Sequence, residues 1–150
     1  MGKAHHIFLS TFFSTFIFNV FVCSSILLLH EMGHFLLGMY AGCKNIRLVL
    51  LDSELGTYTE MTCQKEPPSY FSFLGANLFV IPFIFSFLLL ENFLEKNLFF
   101  VGLGFNLIIS ITDFPALTAL QILGFLIGFS MISYGEVVLI DKLLFLYKGD

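Results

Sequence analysis

The segment from Ile7 to Leu29 carries no charged side chain and consists mainly of Phe, Ile, Leu and Val. A helix that crosses a bilayer needs about 20 consecutive apolar residues, so this segment predicts a membrane-spanning helix. The remainder of the chain agrees, since 57% of its residues are hydrophobic and only 12% are charged, against roughly 25% in a typical soluble domain. We therefore expect an integral membrane protein of the cell membrane, in contact with the lipid bilayer. The small net charge of -4 gives no indication of nucleic-acid binding.

Four apolar segments predict an all-α membrane protein with about four transmembrane helices. The first helix is expected to begin near Ile7 or Phe12 and to run to about Tyr40, with Gly42 as its stop. The other three are expected at about Tyr70–Leu90, Leu98–Ile111 and Leu117–Ile140, the third being short for a full crossing. No repeat divides the chain, so we predict a single membrane-embedded domain over residues 1–150.

The one long polar stretch lies between the first and second apolar segments. Asn45–Leu51 and Thr57–Thr62 have the residue types of short strands, and Asp52–Gly56 between them has those of a turn. We therefore predict a small β-hairpin beside the membrane. The basic residues do not determine which side this is: four crossings would put four lysines on one side and three basic residues on the other.

The three cysteines, Cys23, Cys43 and Cys63, lie about twenty residues apart without a CxxC pair. An odd number argues against a disulfide framework, and the spacing fits no zinc ribbon. The expectation is therefore of three small thiols, buried or at the membrane surface.

The sequence His30-Glu31-Met32-Gly33-His34 at the end of the first apolar run is an HExxH motif. Residues four apart share one face of a helix, so His30 and His34 can offer two imidazole nitrogens to one zinc ion. Glu31 is placed to take a proton from a water molecule at such a metal. This motif on a membrane helix predicts a zinc-dependent protease that acts within or beside the bilayer.

A catalytic zinc site needs a third protein ligand, and Asp113 is the best candidate in the sequence. It follows the third apolar segment, where an acid is costly unless it is paired or binds a metal. Glu54 is a rival because it follows His34 by twenty residues, but it falls in the predicted hairpin turn, where an acid is simply solvated. Glu136 in the last span is expected to face lipid headgroups, close to Asp141.

The motif with its flanking Phe35, Gly38 and Gly42, followed by a hairpin, resembles the site-2 protease class of intramembrane zinc metalloproteases. Gly75-Ala76-Asn77 in the second apolar segment, and Asn106 with Asp113 in the third, add to the resemblance. The third segment departs from the family pattern, because it lacks the prolines and has Phe114 in place of a glycine. Its ending, Ser110-Ile111-Thr112-Asp113, is nearer to smaller zincin-like membrane peptidases.

The resemblance implies roles for six residues. His30, His34 and Asp113 would be the zinc ligands and Glu31 the general base, while Asn77 and Gly75 would bind substrate. The substrate implied is a peptide bond in or near a transmembrane segment of another membrane protein. Two other functions fit the composition: a catalytically inactive membrane protein that binds zinc as a scaffold or immunity protein, and, less well, a transporter fragment. The strand pair could also present an edge to an unwound substrate.

Overall fold

The structure is a computed structural model that describes residues 2–52, 56–65, 69–89, 94–111, 113 and 118–148. Most of the described chain is helical, with one two-stranded sheet inserted after the first helix. In chain order the elements are α1 (Gly2–Tyr40), β1 (Lys44–Asp52), β2 (Gly56–Thr62), α2 (Ser69–Ser86), α3 (Leu94–Ile111) and α4 (Thr118–Lys148). A single 3₁₀ turn, Phe87–Leu89, extends α2.

The predicted all-α architecture with a hairpin is confirmed, and the bounds differ mainly at the ends of the helices. Helix α1 starts before Ile7, and α4 continues beyond Ile140 to Lys148. Asp141 and Lys142 are exposed within α4. The apolar segment thus stops near Ile140, but the helix itself continues through these charged residues. Within the described residues, three stretches have the length and composition of membrane spans, namely Phe8–Tyr40, Ser72–Leu89 and Ala119–Phe145, whereas the apolar part of α3 is shorter.

Helix α1 ends at Tyr40, and Gly42, two residues further on, stops it as the sequence predicts. Gly42 has a φ of 73°, a left-handed conformation that glycine adopts without steric cost. Its amide donates to Met39 O at 3.1 Å, and the amide of Cys43 donates to Gly38 O at 3.0 Å. These two bonds form a Schellman cap, which turns the chain directly into β1 and so sets the hairpin beside α1.

Two pairs of glycines allow the helices to approach closely. A Cβ on Gly33 would overlap the carbonyl oxygen of Gly75, so α1 and α2 cross with their backbones in contact. In the same way a Cβ on Gly128 would lie 2.6 Å from Gly104 O, where α3 and α4 cross. Small residues at such crossings are typical of membrane helix pairs, because lipid provides no hydrophobic force to bring helices together. The crossing at Gly33 holds α2 against the HExxH turn.

Antiparallel pairing of β1 with β2 places Lys44 opposite Thr62. The residues just outside this pair, Cys43 and Cys63, form a disulfide that closes the base of the hairpin. The expectation of three separate thiols is therefore wrong for these two, because the strand register brings together cysteines that are twenty residues apart. Cys23 in α1 has a free thiol and is half-buried.

Helix α4 is linked to α1 by a polar contact inside the apolar region. Asn19 Nδ2 donates to Glu136 Oε1 at 2.8 Å, and Asn19 is 8% exposed. That Glu136 faces headgroups stays a prediction; the structure adds that its carboxylate bonds a neighbouring helix, and such a hydrogen bond reduces the cost of placing an acid among apolar side chains.

Candidate metal centre

The two histidines of the motif lie on one face of α1, as their spacing predicts. His30 Nε2 and His34 Nε2 are 3.2 Å apart. His30 is buried, and the side chain of His34 is 12% exposed. Because α1 extends for more than a turn on either side of the motif, the helical backbone fixes both imidazoles in register.

Asp113 joins the two histidines from the other end of the sequence. It lies just beyond the end of α3, where its amide donates to Ser110 O at 3.3 Å. Its Oδ2 atom is 3.3 Å from His30 Nε2 and 3.4 Å from His34 Nε2. The sequence-based choice of Asp113 is thus matched by its position, and these are the residues of the described chain whose ligand atoms group closely enough for a metal ion.

The three donor atoms form a nearly equilateral triangle with sides of 3.2, 3.3 and 3.4 Å. Two ligands bound to zinc at about 2.0–2.1 Å, at the tetrahedral angle, lie about 3.3–3.4 Å from each other. The observed separations therefore match one face of a zinc tetrahedron. Asp113 Oδ2 is buried and makes no hydrogen bond with any described residue, which leaves its lone pair available.

Asp113 also has the protonation state that a ligand needs. Burial alone would raise the pKa of its carboxyl group, but the two neighbouring imidazoles outweigh this effect and lower the pKa from 3.8 to about 2. The side chain is therefore an anion at neutral pH. Two imidazoles and one carboxylate are a donor set of the kind found in catalytic zinc sites, which leave the fourth position open.

Glu31 is buried and points to the hairpin side of α1. Thr59 Oγ1, on β2, lies 2.9 Å from Glu31 Oε2 and 2.9 Å from Glu31 O, so its single hydroxyl proton is shared between them. This contact holds one oxygen of the Glu31 carboxylate against β2. Sequence reasoning did not identify Thr59, because nothing local to residue 59 indicates which turn of α1 the strand will touch.

Ser72 on α2 supports the second histidine. Its Oγ is 3.4 Å from His34 Nδ1. In the tautomer in which His34 Nδ1 donates to this hydroxyl, the free lone pair is on Nε2, which is one of the three donor atoms of the triangle. Sequence reasoning did not identify Ser72 either, because its contact with His34 depends on the crossing of α1 with α2 at Gly33 and Gly75.

Asn77 lies in a buried polar cluster between α2 and α3. Its Nδ2 donates to Phe73 O at 2.8 Å, and its Oδ1 accepts from Asn106 Nδ2 at 2.8 Å. Ser110 Oγ lies 3.4 Å from both amide side chains. These bonds join α2 to α3 near the end of α3, since Ser110 lies one residue before Ile111, and Gly75 lies at the crossing with α1. A role of Asn77 or Gly75 in substrate binding stays a prediction.

Glu54, the rival third ligand, lies outside the described residues. Comparison of the chain with protein-family models, with curated proteins and with solved structures finds no match.

Proposed function

We propose that this chain is an integral membrane zinc metallopeptidase, which crosses the bilayer with four helices and hydrolyses a peptide bond in or near a transmembrane segment of another membrane protein. The observation that carries the proposal is the triangle of His30 Nε2, His34 Nε2 and Asp113 Oδ2. The second requirement of a hydrolytic site of this type is a general base, and Glu31, the residue after His30 in the motif, has a buried carboxylate.

His30, His34 and Asp113 would hold the zinc ion. When bound, zinc supplies a Lewis acid that polarises a carbonyl group and lowers the pKa of water from 15.7 to about 7. The chain's own contribution is to fix these three side chains before substrate arrives. Ser72 contacts one imidazole, and a backbone hydrogen bond to Ser110 holds the backbone of Asp113 at the end of α3.

Glu31 would accept the proton of the attacking water and pass it to the leaving amine. Thr59 holds its carboxylate at 2.9 Å from the hairpin side, so that the group does not have to be ordered during the reaction. Asn77 would contribute by binding the substrate backbone, in exchange for one of its present hydrogen bonds. Gly75 would leave room beside the site for an extended peptide.

The first test is the zinc content of purified protein, measured by mass spectrometry of the metal. Wild type is expected to hold one zinc per chain, and Asp113→Ala to lose most of it, because two histidines alone leave the tetrahedron incomplete. Asp141→Ala, at an exposed acid of α4, is the matched control and should keep its zinc. Loss in Glu54→Ala with retention in Asp113→Ala would contradict the proposed ligand set.

The second test is cleavage, assayed with a panel of synthetic single-span polypeptides in proteoliposomes and mass spectrometry of the products. Glu31→Gln keeps the size of the side chain and removes its basicity, so zinc should remain while cleavage falls by at least about 10²-fold. Zinc binding by wild type without zinc-dependent cleavage would instead favour the inactive zinc-binding scaffold or immunity protein.

A further inference from the structure

The metal centre lies at one end of the helical bundle. Ser72, which contacts His34, is three residues from the first residue of α2, or about 4.5 Å along the axis. Asp113 lies two residues past Ile111, the last residue of α3. The site is therefore close to the beginning of one helix and beyond the end of another, not halfway along either.

The length of α2 relates this end to the bilayer. From Ser69 to Leu89 the helix and its 3₁₀ turn extend about 33 Å, close to the hydrocarbon thickness of about 30 Å. If α2 and its 3₁₀ turn span the hydrocarbon layer, Ser69 lies at the boundary of that layer. The donor triangle then lies within about 5 Å of that boundary.

Polar structure continues beyond the site on the same side. Helix α1 runs six residues past His34, about 9 Å further, and the hairpin packs against this extension, since Gly38 faces Met61. The strands carry an exposed ion pair, in which Arg47 Nη2 is 2.6 Å from Glu60 Oε2. Charged, exposed strands belong in the headgroup layer or in water.

The disulfide determines which side of the membrane this is. Cys43 and Cys63 are located at the base of the same hairpin, on the side where α1 ends. Disulfides form and persist in oxidising compartments and are rare in the cytosol. The hairpin and the metal centre therefore share the non-cytosolic face.

We propose that the metal centre acts in the interfacial layer on the non-cytosolic face of the membrane, and that its substrates are cleaved where a membrane segment emerges on that side. The substrate class is then the juxtamembrane part of exported or membrane-anchored polypeptides, not bonds near the middle of a span. The statement on substrates rests on the proposed peptidase function, whereas the location of the site does not.

The side is tested by thiol labelling in intact bacterial cells. In a Cys23→Ser background only the hairpin cysteines remain, and a membrane-impermeant maleimide should label them after, and not before, an impermeant reductant. The matched control is Lys96→Cys in a chain without the three native cysteines, since Lys96 is exposed at the opposite end of α3. This thiol should react only in opened cells. Hairpin labelling that requires opened cells would overturn the proposal.

The depth is tested with tryptophan as a fluorescent probe, because the native chain contains none. Met32→Trp places an exposed probe at the level of the motif, and Phe21→Trp places one eleven residues away, about 16 Å deeper. In vesicles of brominated lipids, Met32→Trp should be quenched most by bromine near the headgroup and Phe21→Trp by bromine near the chain ends. Equal deep quenching of both probes would overturn the interfacial position, provided that each variant keeps its zinc.

Cleavage products separate this inference from the proposed function. Among the single-span polypeptides, cut bonds should lie in the residues that flank the span on the non-cytosolic side. Cuts near the centre of the span would contradict the inferred substrate class while confirming a peptidase. Absence of any cut would contradict the peptidase and leave the labelling and quenching results to decide the location.

Discussion

The hydroxyl of Thr59 connects the hairpin to the chemistry of the site. It is the only hydrogen-bond partner seen for the Glu31 carboxylate among the described residues, at 2.9 Å from Oε2. A buried carboxylate with one oriented oxygen loses less freedom when it takes part in a reaction. In the proposed peptidase, the hairpin would therefore position the general base of a site whose ligands come from α1 and the end of α3.

Thr59→Val keeps the shape of this side chain and removes the hydroxyl group. We expect cleavage to fall about 10-fold, the lower end of the effect of partners that orient groups at metal sites, while zinc content stays at the wild-type level. Rates in proteoliposomes and metal content of the same preparations check this. Thr62→Val is the matched control, because Thr62 lies on the same strand and is exposed. A rate equal to wild type would show that Thr59 does not position Glu31.

The three residues of the candidate metal centre could be predicted from the sequence, but the residues that contact and orient them could not. His30 and His34 follow from helical spacing, and Asp113 from the cost of an acid after an apolar segment. Thr59 and Ser72 belong to other elements, and their contacts depend on how β2 and α2 pack against α1. Hydroxyl residues are common in loops and strands, so neither one has a local signal.

At the scale of elements, the crossing of α1 with α2 determines the geometry of the motif. Gly33 lies inside the HExxH sequence, and the backbone of Gly75 occupies the space that a side chain at Gly33 would need. Any side chain at this position must push α2 away, which separates Ser72 from His34. The middle of the motif therefore needs a small residue for a packing reason that is distinct from the chemistry of its neighbours.

Gly33→Ala should consequently lower both stability and zinc content. Its Cβ would meet a backbone oxygen, which cannot move aside as the end of a flexible side chain can; a loss of about 1–3 kcal/mol is typical of such overpacking. Thermal unfolding in detergent and metal analysis measure the two effects. Leu36→Ala, at an exposed position of the same helix, should leave zinc content unchanged. Wild-type zinc and stability in Gly33→Ala would contradict the close crossing.

The elements themselves were largely predictable, because hydropathy and turn residues indicate helices and strands directly. The hairpin strands matched within one residue at each end, and α1 stopped at Tyr40, just before the left-handed Gly42, as expected. The disulfide was missed because counting cysteines ignores strand register. Once β1 and β2 are paired, Cys43 and Cys63 are adjacent across the sheet, which only the three-dimensional arrangement makes visible.

At the scale of the whole molecule, the hydrogen bond from Asn19 to Glu136 joins the first helix to the last. Most of the large apolar side chains around it on α1 and α4 are exposed, as expected for surfaces that face lipid. Apolar contact with lipid is about as favourable as apolar contact between helices, so specific polar bonds and close glycine crossings decide how the bundle assembles.

A double-mutant cycle measures this link. Asn19→Leu leaves the Glu136 carboxylate without its partner in apolar surroundings, so it should destabilise the protein more than the double variant Asn19→Leu/Glu136→Leu does. The coupling energy is expected at about 0.6–1.7 kcal/mol, the range found for hydrogen bonds between membrane helices. Unfolding in detergent at a series of denaturant concentrations provides the free energies. Additive effects of the two substitutions would rule out a direct bond.

The arrangement of the ligands also bears on the biosynthesis of the protein. His34 and Asp113 are separated by 79 residues (113 minus 34), and a ribosome adds about 5–20 residues per second. A nascent chain therefore carries its two histidines for roughly 4–16 s before the aspartate has even been synthesised. During that interval the nascent chain would lack one of the three proposed zinc ligands. In the proposed peptidase, the centre would be complete only after Asp113 has been synthesised and has packed beside α1, so the order of synthesis would delay hydrolysis until α3 is in place.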